Sequence, residues 1–162
     1  MEFDFIDVRP ADLPSVLELN ESEVPNLGKV DLQKMQWFAA YANYFRIALS
    51  GDQLAAFLVG LRPGTSYRSL NYRWFCERYA DFAYVDRVAV ALPFRRHGLA
   101  SRLYDDFAAS VPDSVDIMTC EVNIKPPNEE SMRFHNRLGF RQVGTQATEH
   151  GAKEVALLLR RI

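Results

Sequence analysis

The 162-residue sequence contains two cysteines, Cys76 and Cys120, and three histidines. The two thiols match no metal-ligand spacing and build no disulfide framework, so no metal centre is expected. Free, buried thiols in a reducing compartment are the ordinary state for such a pair. Charge of neither sign dominates: 19 Lys and Arg stand against 21 Asp and Glu, a net charge of −2. That balance argues against general attraction to nucleic acid or an anionic membrane. No run approaches the ~20 apolar residues of a membrane span. The stretch MEFDFIDVRP lacks a basic region followed by an apolar one, so a secretory signal is not expected and the cytoplasm is. Gly-Lys-Ser/Thr and Gly-x-Gly-x-x-Gly loops are both missing, which disfavours a module for ATP or NAD. No Ser/His/Asp or Cys/His set has a plausible context for nucleophilic catalysis.

What is present is a globular composition, 48% hydrophobic and 25% charged. The length suits one soluble domain over residues 1–162. Phe3 to Val8 alternates as a first strand. Asp12, ahead of Pro14, is the expected cap of a short helix. Asp31 is the expected cap of a second, carrying Met35, Phe38, Ala42 and Phe45. Phe45–Leu49 and Leu54–Leu61 are apolar runs around Ser50-Gly51-Asp52-Gln53, a hairpin signal. Thr65 to Asp81 interleaves Tyr67, Tyr72, Trp74, Phe75 and Tyr79 with arginines; a helical turn at Phe75 to Tyr79 is compatible with the residues, but the segment shows no clean period. Loops of that length are commonly functional or mobile. Val115 to Val122 is another strand, stopped by Pro126-Pro127. Asn128 should cap a helix that Gly139 ends. Phe140–Thr148 and Lys153–Arg160 read as a closing antiparallel pair turning at His150-Gly151. The expected order is β-α-α-β-β-β-α-β-α-β-β, a mixed α/β arrangement.

The most informative stretch is Tyr84 to Ala109. A strand with Val85, Val88 and Val90 leads through Pro93 into a basic loop, and then into a helix with Leu99, Leu103 and Phe107 on one face. At this junction the first N–H groups of the helix have no partner within it, and the dipole is positive. Together they suit an anion such as a pyrophosphate. Gly98 lets the anion approach the main chain, and Arg95, Arg96 and His97 bring positive charge. An ordinary glycine turn with solvated arginines fits the same residues.

Arg95-x-x-Gly98-x-Ala100, after Val88-Ala89-Val90, resembles the acyl-CoA-binding motif Gln/Arg-x-x-Gly-x-Gly/Ala of the GNAT superfamily of N-acetyltransferases. About 30 residues on, Asn128-x-x-Ser131-x-x-Phe134-His135-x-x-Leu138-Gly139-Phe140 is similar to that superfamily's second motif. The resemblance implies a GNAT-like fold: a mixed, mostly antiparallel central sheet of about seven strands flanked by about four helices. It implies acetyl-CoA as cofactor, held by the main chain of Val88, Ala89 and Val90, by the loop from Arg95 through Arg96, His97, Gly98, Leu99 and Ala100 to Ser101, and by Asn128 and Ser131. It also implies direct attack of a primary amine, from a small molecule or peptide, on the thioester. A homodimer would follow family habit.

Asn128, Ser131 and His135 lie within about 60° of one another on one helix face, because i, i+3 and i+7 recur together. His135 stands where the family carries a tyrosine thought to protonate the leaving thiolate. A histidine can do this chemically, or it can be bonded to a helix carbonyl. An ammonium must lose its proton before attack. The family's glutamate position falls at Tyr84, so Asp86, on the same strand face, and Glu121, on the next strand, are the candidate bases. Either could instead pair with an arginine such as Arg87. Tyr72, Trp74 and Tyr84 are the candidate acceptor wall, with core packing of the aromatics as the alternative. A non-catalytic acyl-CoA-binding regulatory module is the competing function, since His135 and Tyr84 both depart from the family pattern.

Overall fold

The computed structural model describes residues 1–162. In chain order the elements are β1 (Asp4–Asp7), α1 (Leu13–Ser22), α2 (Leu32–Tyr41), β2 (Tyr44–Ser50), β3 (Gln53–Leu61), α3 (Leu70–Arg78), β4 (Ala83–Val90), α4 (Leu99–Ser110), β5 (Ile117–Lys125), α5 (Glu129–Arg137), β6 (Arg141–Thr148) and β7 (Lys153–Arg161). The seven strands are ordered β1-β2-β3-β4-β5-β7-β6. This is the mixed sheet expected, with β4 and β5 parallel and β1/β2, β2/β3, β5/β7 and β6/β7 antiparallel. The chain forms two compact units: residues 1–61 with 87–110, and residues 62–86 with 111–162.

In the first unit β2 and β3 form the expected hairpin, and Gly51 takes the positive φ (60°) the tight turn requires. Val16, Met35, Phe38, Ile47, Phe57, Leu103 and Phe107 are fully buried. Gly60 on β3 admits the Phe107 ring of α4: a Cβ there would stand 2.4 Å from its Cζ. Arg87, 7% exposed, donates to Asn20 Oδ1 (2.9 Å) and the Gly28 carbonyl (3.1 Å). Asn20, itself fully buried, donates to the same carbonyl at 3.1 Å. A buried guanidinium needs such acceptors, and here they fix the connection between α1 and α2.

In the second unit β7 is the central partner of both β5 and β6. Tyr72, Phe75, Phe82 and Tyr84 pack as an aromatic cluster with ring centroids 5.5–6.2 Å apart. The Trp74 ring lies against Gly144 of β6, where a Cβ would come within 2.6 Å. Arg78 stacks over the same ring at 3.9 Å.

Several expectations are corrected. The aperiodic stretch Thr65–Asp81 contains α3, a fifth helix, capped by Ser69, whose hydroxyl accepts from the Tyr72 N–H. Its apolar residues serve different ends, Tyr72 and Phe75 buried and Leu70 half-exposed, which hides the helical period. α2 ends at Tyr41, and Ala42 is already extended, so Phe45 belongs to β2. Asp31 caps α2 through the Lys34 N–H as expected, but Asp12 makes no side-chain cap because Arg9 holds its carboxylate. β5 runs on to Lys125. Cys120 is buried and Cys76 exposed.

Candidate active site

The basic loop leaves β4 through a short 3-10 turn, Leu92–Phe94, that Pro93 favours by fixing φ. Arg96 and Gly98 then take positive φ, 66° and 71°. The reversal starts α4 at Leu99, with its first-turn N–H groups outside any intrahelical bond. Arg95, Arg96, His97 and Gly98 are exposed, Leu99 is buried, and Ala100 and Ser101 are half-buried. No acidic residue stands in the first turn of α4 to oppose an anion. Open space surrounds the Cα of Gly98. These features fit a pyrophosphate, and residues Arg96 to Ser101 are those that would hold one.

Arg95 is committed differently. Its Nε donates to the Val90 carbonyl (3.1 Å) and its Nη2 pairs with Glu23, so its charge is already balanced. Ala89 is buried, whereas Val88 and Val90 are half-buried rather than wholly core. Glu23 lies 72 residues away in sequence, and nothing in the chain marks it as the partner.

In the second unit the structure brings Tyr84, Asp86 and Glu121 together. Tyr84 is fully buried, and its hydroxyl donates to Glu121 Oε2 at 2.7 Å. Burial, reinforced by the negative charges of Glu121 and Asp86, pushes the Tyr84 pKa well above its usual value. The phenol therefore stays protonated and orients the carboxylate, while Glu121, half-buried, remains reachable. The β4/β5 pairing that places them is short: Ala83 faces Met118, Tyr84 faces Thr119, and the ladder registers no further pair although both strands continue. Thr119 is fully buried, and its Oγ1 has no hydrogen-bond partner. Its only mark in the sequence is a threonine two residues before Glu121 in an apolar strand.

α5 is capped as expected, the Asn128 side chain accepting from the Ser131 N–H at 3.3 Å. His135 is 4% exposed, between the rings of Phe134 and Phe140. Its Nδ1 lies 2.7 Å from the Ser131 carbonyl. A carbonyl only accepts, so the proton is on Nδ1. Burial, with a smaller contribution from the Arg160 charge, holds the His135 pKa below its usual value. The resulting neutral ring presents Nε2 as an acceptor. Of the aromatic wall, Tyr72 is buried, its hydroxyl donating to the Arg62 carbonyl at 2.7 Å. Its ring and that of Phe75 back Tyr84. Trp74 is half-buried, facing β6.

No curated protein matches this sequence. Solved structures do match in fold. Ard1 from Thermoplasma volcanium superposes with a TM-score of 0.78 at 17% identity, over 100% of this chain and 99% of that one. Arabidopsis thaliana NAA60 in complex with acetyl-CoA gives 0.76 at 16% identity, over 99% and 100%. Arabidopsis thaliana Naa50 in complex with the bisubstrate analogue CoA-Ac-MVNAL gives 0.74 at 14% identity, over 100% of both. The family model described as the acetyltransferase (GNAT) family matches residues 13–140. A loop fit for a pyrophosphate, an oriented carboxylate and this match over most of the chain agree: the protein belongs to the GNAT family of acetyltransferases.

Proposed function

We propose that the protein transfers the acetyl group of acetyl-CoA to the primary amine of a peptide. The observation that carries this reading is the Tyr84–Glu121 hydrogen bond, which fixes a reachable carboxylate on β5. Peptide amines are favoured over other amines by the likeness in fold to the Naa50 complex with a peptide-bearing bisubstrate analogue. Acetyl-CoA supplies a thioester carbonyl at which the amine nitrogen forms a C–N bond as the C–S bond breaks. The residues of this chain manage position and protons. Arg96 to Ser101 bind the pyrophosphate through main-chain N–H groups and local positive charge. Glu121 takes the proton an ammonium must lose before it can attack, and later returns it to solvent. Tyr84 keeps the carboxylate aimed. Asp86 adds negative charge that favours an ammonium beside it. Asn128 and Ser131 cap and start α5. In its neutral Nδ1–H form His135 has no proton to donate at Nε2, so the second proton of the attacking nitrogen goes to the thiolate. Cys76 and Cys120 are in no disulfide, which fits a reducing compartment such as the cytoplasm, and no helix is long and apolar enough to cross a membrane.

The test is steady-state acetylation of a peptide by the wild type and Glu121→Gln. The amide keeps the volume and the Tyr84 bond but cannot take a proton. We expect kcat to fall by roughly 10²–10⁴-fold, with the KM for acetyl-CoA unchanged. A Glu121→Gln variant that turns over like the wild type removes Glu121 from the reaction.

A further inference from the structure

Thr119 is the one residue at the Tyr84–Glu121 cluster whose polar atom the protein leaves unsatisfied. It is fully buried, its Oγ1 has no partner, and it faces Tyr84 across the last registered pair of β4 and β5. An unsatisfied buried hydroxyl is disfavoured by the full loss of its hydration, and native folds rarely leave one without a reason. Successive strand residues alternate faces, so Thr119 and Glu121 share one, about 6.6 Å apart along the strand. The Tyr84 hydroxyl reaches Glu121 Oε2 from that same face. Two polar groups on one strand face that do not bond each other directly can share one water, with each bond about 2.8 Å long. A threonine hydroxyl can donate to such a water or accept from it, so it can hold the water in either orientation.

We infer that the Thr119 hydroxyl holds the water through which Glu121 receives the proton of the acceptor amine. The inference rests on the role proposed for Glu121 and adds the residue that fixes the relay. The water takes one proton from the ammonium and passes one of its own to the Glu121 carboxylate, so it is unchanged. The freed nitrogen lone pair forms the new C–N bond. Thr119 touches the relay and not the reacting atoms, so it is a positioning residue. Its contribution falls on kcat, leaving acetyl-CoA binding alone.

The experiment compares wild type, Thr119→Val and Thr119→Ser in peptide acetylation, with thermal unfolding of each. Valine keeps the shape and removes the hydroxyl, and serine keeps the hydroxyl. Thr119→Val should lose at least about tenfold in kcat, at unchanged acetyl-CoA KM. Its Tm should stay close to that of the wild type, because valine keeps the shape and only one water-mediated bond is lost. Thr119→Ser should retain kcat within about threefold. A hydroxyl that matters only for packing would give the reverse pattern, with activity kept in Thr119→Val, and that result overturns the inference. A crystal structure of the wild type with coenzyme A supplies a readout free of turnover: a water within hydrogen-bond distance of both Thr119 Oγ1 and the Glu121 carboxylate is expected. Failure to find it in a map that resolves neighbouring waters overturns the inference, even if Thr119→Val does not fold. If the water is present and the wild type acetylates no amine, the proposed function fails while the Thr119 site stands.

Discussion

His135 shows how a single side chain at a motif position can carry different chemistry from the one its place suggests. The sequence put it on the polar stripe of α5 and left two roles open, a proton donor or a ring bonded to a helix carbonyl. The structure shows the second bond, Nδ1 to the Ser131 carbonyl, with burial holding the pKa down. That geometry has a consequence for stability. Below the usual histidine pKa of 6.5 the unfolded chain binds a proton that the folded chain resists, so the unfolded state holds more protons there. Stability from the neutral ring is therefore present above that value and is lost as pH falls through the lower, folded one. Thermal unfolding between about pH 7 and about pH 5 should show a decline that is shallower in His135→Phe, which cannot titrate. Parallel declines in the two proteins would show that His135 does not hold its pKa down. Residue identity alone suggested such chemistry at Glu121 and Asp86 and missed Thr119 and Glu23. A carboxylate has a recognisable task, whereas an orphaned hydroxyl or an ion pair formed across 72 residues exists only after folding.

Among the elements, those with a clean period or a cap were legible. The β2/β3 hairpin, α2 from Asp31, α5 from Asn128 and the turn into β7 all follow from local chemistry. α3 was not, because its exposed Leu70, half-buried Trp74 and buried Tyr72 and Phe75 blur the pattern that a single apolar face would give. The end of α2 was misplaced for the opposite reason: Phe45 continues the helical spacing of Met35 and Phe38 while pairing with Val59 in the β2/β3 ladder. α4 is held by a fit that no periodicity reveals. Phe107 lies over Gly60 and against the Tyr44 ring, 4.9 Å between centroids. The Tyr44 hydroxyl is in turn tied to Asp106 of α4 at 2.7 Å. Phe107 therefore has no room to yield, and Gly60→Ala forces a shift of β3 or α4. We expect a loss of about 2 kcal/mol, seen as a fall in Tm of roughly 4–8 °C. Gly60→Ala with the wild-type Tm would show that this packing is looser than the geometry indicates.

At the scale of the whole molecule, two short motifs were enough to identify the family, because each names residues whose roles are set by the main chain. A glycine at positive φ before a helix and an asparagine cap with a serine three residues on are local devices, and the fold is shared with solved structures at 14–17% identity. The seven-stranded order and the parallel step from β4 to β5 follow with them. What the motifs do not carry is the acceptor, since the candidate bases and the candidate acceptor wall lie in segments outside both. The proposed reaction brings a bound thioester to an amine whose proton this chain removes. It is tested most directly by incubating the protein with acetyl-CoA and a pool of peptides of varied first residue, and reading products by mass spectrometry. Peptides heavier by one acetyl group, modified at the terminal amine, are expected, with none formed by Glu121→Gln above background. Acetyl-CoA that binds tightly while every peptide stays unmodified would contradict it, and would leave an acyl-CoA-binding module in place of an enzyme.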